Sequence, residues 1–137
     1  MLDRKTARTQ AMKLVYEWEM GGDGGEDTRL GLLEIKPDES GSEFMNALFE
    51  GVCAHAQEID ERLGQNVRGW SLERVTRVDL AILRLAAYEL SLGEAPGPAV
   101  INEAVELANQ YSTDKAGSFV NGVLGSLLRG EGTEDER

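Results

Sequence analysis

Cysteine and histidine are nearly absent from this chain of 137 residues, with one of each. Cys53 has no partner for an internal disulfide, and with His55 alone there is no cluster at metal-ligand spacing. A domain of this size buries roughly two-thirds of the surface its unfolded chain exposes, so neither staple is needed. Long apolar runs are also missing. None approaches the roughly 20 residues that span a bilayer, and the N-terminus lacks the apolar core of a signal peptide, so the chain reads as cytoplasmic, with no membrane partner. Cations are scarce as well: 14 Lys and Arg stand against 25 Asp and Glu, a net charge of −11. Nonspecific affinity for nucleic acid comes largely from neutralising phosphates, so this balance argues against a general nucleic-acid binder.

A recognisable catalytic constellation is the next absence. GGDGG at 21–25 has no strand before it and no Lys-Ser/Thr after it, so it reads as a flexible linker, not a phosphate loop. Cys53 and His55, two apart, fall about 200° from one another around a helix and form no dyad. Strand-like alternation and internal repeats are absent too.

What the chain does have is helical periodicity. Ala7, Ala11, Leu14, Val15 and Trp18 form a stripe that predicts a helix over about 4–20, ended by GGDGG. Residues 28–36 support only a short helix before Pro37. Phe44, Leu48, Val52, Ile59 and Leu63 share a face, which predicts one long helix from a Ser42 cap to about Gly64. Leu72, Val75, Val78, Ile82, Leu85, Tyr88 and Leu92 define a fourth helix, for which Ser71 is the expected N-cap. Pro96-Gly97-Pro98 separates it from a fifth with a broad apolar face, and Pro98 suits that helix's first turn. After a 112–117 linker, Phe119 to Leu128 predict the last helix. The expectation is an all-α, six- or seven-helix domain over 1–129, followed by a disordered acidic tail over 130–137.

Charge and polarity are unevenly placed. Arg4, Lys5, Arg8 and Lys13 face only Asp3 and Glu17 within 1–18, whereas 23–43 hold seven acids against Arg29 and Lys36. The first helix is a basic island on an acidic protein, with Arg4 and Arg8 on one face; RNA binding and a solvated helix end both fit it. Asp79 and Glu89 lie inside an apolar pattern and need partners or exposure. For Asp79, ion pairing with Arg74, Arg77 or Arg84 is expected ahead of a partner-binding role. Asn102, Glu103 and Asn121 are expected to fix helix contacts by hydrogen bonding.

RKTARTQAMKLVYEWE at 4–19, WSLERVTRVDLAILRLAAYEL at 70–90 and INEAVELANQYSTDKAGSFVNGVL at 101–124 resemble the bacterial NusB transcription antitermination family over nearly the whole chain. The resemblance implies a NusB-like fold of two small helical bundles, with no catalysis and no cofactor. It also implies binding of boxA RNA in ribosomal RNA leader transcripts together with ribosomal protein NusE, within the RNA polymerase antitermination complex. Carried over position by position, Arg4, Lys5 and Arg8 fall on the family's basic RNA motif. The loop from Lys115 and the adjoining Phe119 fall on a second part of the RNA surface, where Phe119 reads equally well as a base-stacking or a core aromatic. Tyr16, Glu73 and Asp79 fall where family members meet NusE. Some members dimerise, so a homodimer covering the Arg4–Arg8 face is a further reading. The alternative from the enzyme class is a detached RNA-binding domain that assists a ribosomal RNA methyltransferase; the absence of a cofactor-binding segment disfavours it.

Overall fold

The computed structural model describes residues 2–22, 25, 29, 40–67 and 72–130. Among them are six α-helices and no strand: α1 (Arg4–Glu19), α2 (Ser42–Ala54), α3 (Ala56–Gly64), α4 (Arg77–Leu92), α5 (Gly97–Tyr111) and α6 (Ala116–Gly130). A short 3-10 turn (Leu72–Arg74) precedes α4. The expected all-α fold is the observed one.

Local chemistry sets the helix ends. The Asp3 carboxylate accepts the Thr6 backbone N–H at 2.7 Å and starts α1; that bond holds Asp3 below the ordinary carboxylate range. The Thr76 hydroxyl accepts the Asp79 N–H at 3.2 Å and starts α4. Gly93, in the left-handed region at φ 66°, ends it, where a Cβ would be penalised. Pro98 sits in the first turn of α5, where its missing N–H is no loss.

Four boundaries differ from the sequence reading. The expected long helix over 42–64 is broken at His55 (φ −117°, ψ 21°) into α2 and α3. Both halves keep their apolar faces inward, so side-chain spacing carries no trace of the break. Ser42 is the first residue of α2, not its cap, and Gly41 occupies the cap position without a side-chain bond. The fourth helix begins six residues after Ser71, capped by Thr76, because residues 72–74 form the 3-10 turn and Val75 turns inward. The last helix begins at Ala116; Ala116 and Gly117, read as linker, are buried. The expected helix at 28–36, Ser71 itself and the tail beyond Gly130 lie outside the described residues.

The core is organised around α4, which touches each of the other five α-helices. Its residues 79–87 are buried without interruption, as befits a helix enclosed on most sides. On one flank α1 and α2 pack on each other and on α4, and on the other α5 and α6 do the same. Two small bundles thus share one central helix. Leu14, Met45, Leu48, Leu63, Ile82, Leu83 and Leu124 are fully enclosed.

The junction of α2 with α4 depends on a missing side chain. The Tyr88 ring lies across Gly51, where an added Cβ would come within 2.1 Å of Cζ. The same ring stacks on His55, with centroids 5.8 Å apart. Gly51→Val is therefore expected to destabilise the fold by about 2 kcal/mol through overpacking, read as a lower urea midpoint. An unchanged midpoint would mean that Tyr88 does not occupy this position in solution.

Candidate RNA and partner interface

The basic residues of α1 have three different surroundings. Arg4 is exposed, its guanidinium carbon 3.9 Å above the centre of the Phe44 ring, and it donates no hydrogen bond to a described residue. Arg8 lies 5.3 Å from the same ring, so the two arginines share a face as their spacing predicts. Arg8 is also bound sideways: Nε donates to Glu89 Oε1 at 2.9 Å and Nη2 to Oε2 at 2.6 Å. Glu89 is 5% exposed and Arg8 16%, and this charge-assisted fork raises the Arg8 pKa. Lys5 hydrogen-bonds Glu106 and lies 3.6 Å from Glu103, both on α5; the bond to Glu106 raises its pKa. Ala7 and Ala11 turn into the core.

A second region lies on α6. Lys115 is exposed in the turn before the helix, and Phe119 is half-buried in its first turn. Part of the ring packs on the core. The rest lines an open cleft of about 330 Å³ with Asn66, Ser118, Ser126 and Arg129. Ser126 Oγ donates to Asn66 Oδ1 at 2.7 Å, and Asn66 Nδ2 donates to the Arg62 carbonyl at 2.8 Å, which ties this wall to α3. Phe119 thus has both characters that the sequence left open, a core contact and a surface edge.

The third group gathers where α1 ends and α4 begins. Tyr16 is 36% exposed and lines a small apolar cleft with Met12, Lys13, Val78 and Tyr111. Glu73 is exposed on the 3-10 turn. Asp79 is buried, and its Oδ1 has no hydrogen-bond partner. The expected pairing of Asp79 with neighbouring arginines does not occur. Arg77 Nη1 donates to Glu19 at 2.6 Å. Arg84 Nη1 donates to Glu19 at 2.6 Å, while Nε and Nη2 grip Asp60 at 2.9 Å each. Arg84 lies five residues, about 140°, around the helix from Asp79, so it faces α1 and α3 instead. Burial works against its charge, but the bonds to Asp60 and Glu19 outweigh that and raise its pKa. Asp79 lies in the first turn of α4, at the positive end of the helix dipole.

Among the described residues no group of three acidic, histidine or cysteine side chains could hold a metal ion. No described helix is long and apolar enough to cross a membrane. The surface therefore offers cations beside an aromatic ring and a half-buried phenylalanine, and the unpaired carboxylate oxygen of Asp79 lies beneath it.

The sequence model of the NusB family matches residues 5–129. The chain belongs to the NusB family. It is 40% identical over 130 residues to the transcription antitermination protein NusB of Acetivibrio thermocellus, covering 93% of this chain and 90% of that protein. Its identity to the NusB of Methylacidiphilum infernorum is 36%, over 96% and 94% of the two chains. The solved structure of T. maritima NusB superposes with a TM-score of 0.80 at 30% identity, covering 94% of this chain and 93% of that one. A structure of the antitermination factors NusB and NusE in complex with double-stranded RNA also gives 0.80, at 31% identity, covering 92% and 96%.

Within this NusB fold, several residues that shape the basic helix end were not singled out for it by sequence. Phe44, Glu103 and Glu106 sit on other helices, 36 or more residues from Arg8. Glu89 did carry a signal, an acid inside an apolar pattern, but its partner lies 81 residues away. Asn102 and Asn121, expected to clamp helices from within, are exposed on the cleft between α5 and α6. Glu103 does link helices, through Lys5.

Proposed function

We propose that this chain is a transcription antitermination factor that binds boxA RNA of ribosomal RNA leaders jointly with ribosomal protein NusE, as a cytoplasmic part of the RNA polymerase antitermination complex. It acts by binding, without turnover. The observation that carries this reading is Arg4, exposed and seated on Phe44 beside Lys5 and Arg8, on a fold shared with a NusB solved together with NusE and RNA. Arg4 and Lys5 reach phosphates, and Arg8 offers the Nη1 edge that Glu89 leaves unused. Lys115 supplies a further cation, and the exposed edge of Phe119 a surface for a base.

NusE, as a basic ribosomal protein, suits the opposite chemistry. Tyr16 and its apolar cleft provide contact area and Glu73 provides steering charge, while Asp79, whose Oδ1 is enclosed without a hydrogen-bond partner, meets a NusE donor only once the side chains covering it shift. The net charge of −11 then attracts one partner while the end of α1 serves the other.

Fluorescence anisotropy with a single-stranded boxA RNA, with and without NusE, tests the reading. Appreciable RNA binding is expected only with NusE present, and Arg4, Lys5 and Arg8 together are expected to contribute roughly −2 to the log-log salt slope. Arg4→Ala is expected to weaken RNA binding about fivefold while lowering stability by no more than about 1 kcal/mol, the worth of an exposed cation–π contact, and Glu73→Lys to weaken NusE capture with RNA contacts intact. Equal RNA affinity of the isolated chain and the complex would overturn the joint-binding claim. Parent-like behaviour of both variants would overturn the site assignments.

A further inference from the structure

The cations at the end of α1 are not equally available. Arg8 is tied by two bonds to a carboxylate that is 5% exposed and that loses its counter-ion if the arginine leaves. Lys5 is held by Glu106 and Glu103, whose side chains are 50% and 29% exposed, and is itself 62% exposed. Such exposed pairs are weak and exchange readily. A phosphate that takes Lys5 must displace Glu106 and then sit beside two carboxylates a few ångströms away.

We propose that Glu103 and Glu106 of α5 compete with RNA phosphate for Lys5, and so set how much RNA the chain binds by itself. This rests on the RNA-binding reading above and deepens it. The acids make Lys5 a conditional contact, lowering affinity for any isolated phosphate chain. They leave binding dependent on a partner that brings RNA contacts of its own. Arg4, which no carboxylate of the described residues holds, remains the unconditional contact.

The test is anisotropy of the full chain with the same single-stranded RNA, without NusE, across about 50 to 200 mM salt. Glu103→Gln/Glu106→Gln is expected to bind about five- to tenfold tighter, with a log-log salt slope steeper by about 0.7, the contribution of one released cation on single-stranded RNA. In a Lys5→Ala background the same two substitutions should change affinity by less than about twofold, since the coupling runs through the lysine. No tightening, or equal tightening with and without Lys5, overturns the competition; the latter would mean general repulsion. A parent chain that fails to bind this RNA even with NusE removes the proposed function and this inference together. RNA binding there, combined with either overturning result, removes the competition alone. All three substituted side chains are partly exposed, so the variants retain the fold, which circular dichroism checks.

Discussion

Arg8→Met is expected to lower the stability of the protein by about 3 kcal/mol, or roughly 10 °C in midpoint, measured by urea and thermal unfolding at neutral pH. The physical reason is asymmetric. Glu89 is 5% exposed and receives both of its strong bonds from Arg8, so removing the arginine leaves a carboxylate with neither solvent nor counter-ion. Removing both members is different: Arg8→Met/Glu89→Leu should recover most of the loss, because apolar groups of similar volume replace a buried pair at little cost. Parent-like stability of the single variant would mean that the fork does not form in solution. The double variant is also the proper probe of Arg8 in RNA binding, since the single one confounds lost contact with lost fold.

Arg84→Met should produce the second large loss, also about 3 kcal/mol. Arg84 is 9% exposed and binds Glu19 of α1 and Asp60 of α3 from its position on α4. It is a three-helix tie. Glu19 and Asp60 keep 21% and 32% exposure, so water relieves part of their repulsion once the arginine is gone. Arg84→Lys keeps the charge but loses the planar fork that spans two carboxylates, and should cost about half as much. If the methionine and lysine variants lose equally, charge is not what this residue contributes; if neither loses, the tie is absent.

The element pattern was legible from spacing wherever one face of a helix is buried, and α1, α4, α5 and α6 fall close to where periodicity predicts them. Boundaries set by backbone chemistry were less so. Asp3 and Thr76 cap their helices with single side-chain bonds that leave no periodic signal. The break at His55 keeps helical phase on both sides, so the pattern from Phe44 to Leu63 reads as continuous. For the candidate site, Arg4, Lys5, Arg8, Lys115, Phe119, Tyr16, Glu73 and Asp79 could be named from the motifs, but not what surrounds them. Asp79 illustrates the limit of local reasoning. Three arginines lie within five residues, yet each distance along the chain maps to a different direction around the helix, and both Arg77 and Arg84 turn to Glu19.

By itself the sequence determined the helical class, the apolar faces, the basic end of α1 and the family motifs, because these depend on periodicity and composition within 10 or 20 residues. Only the tertiary structure decided which charges meet. It placed Arg4 on Phe44, tied Arg8 to Glu89, set Lys5 before Glu103 and Glu106, and left Asp79 Oδ1 without a partner. Ion pairing depends on distances of a few ångströms between residues up to 101 apart in the chain, and those distances exist only once the bundles have packed around α4.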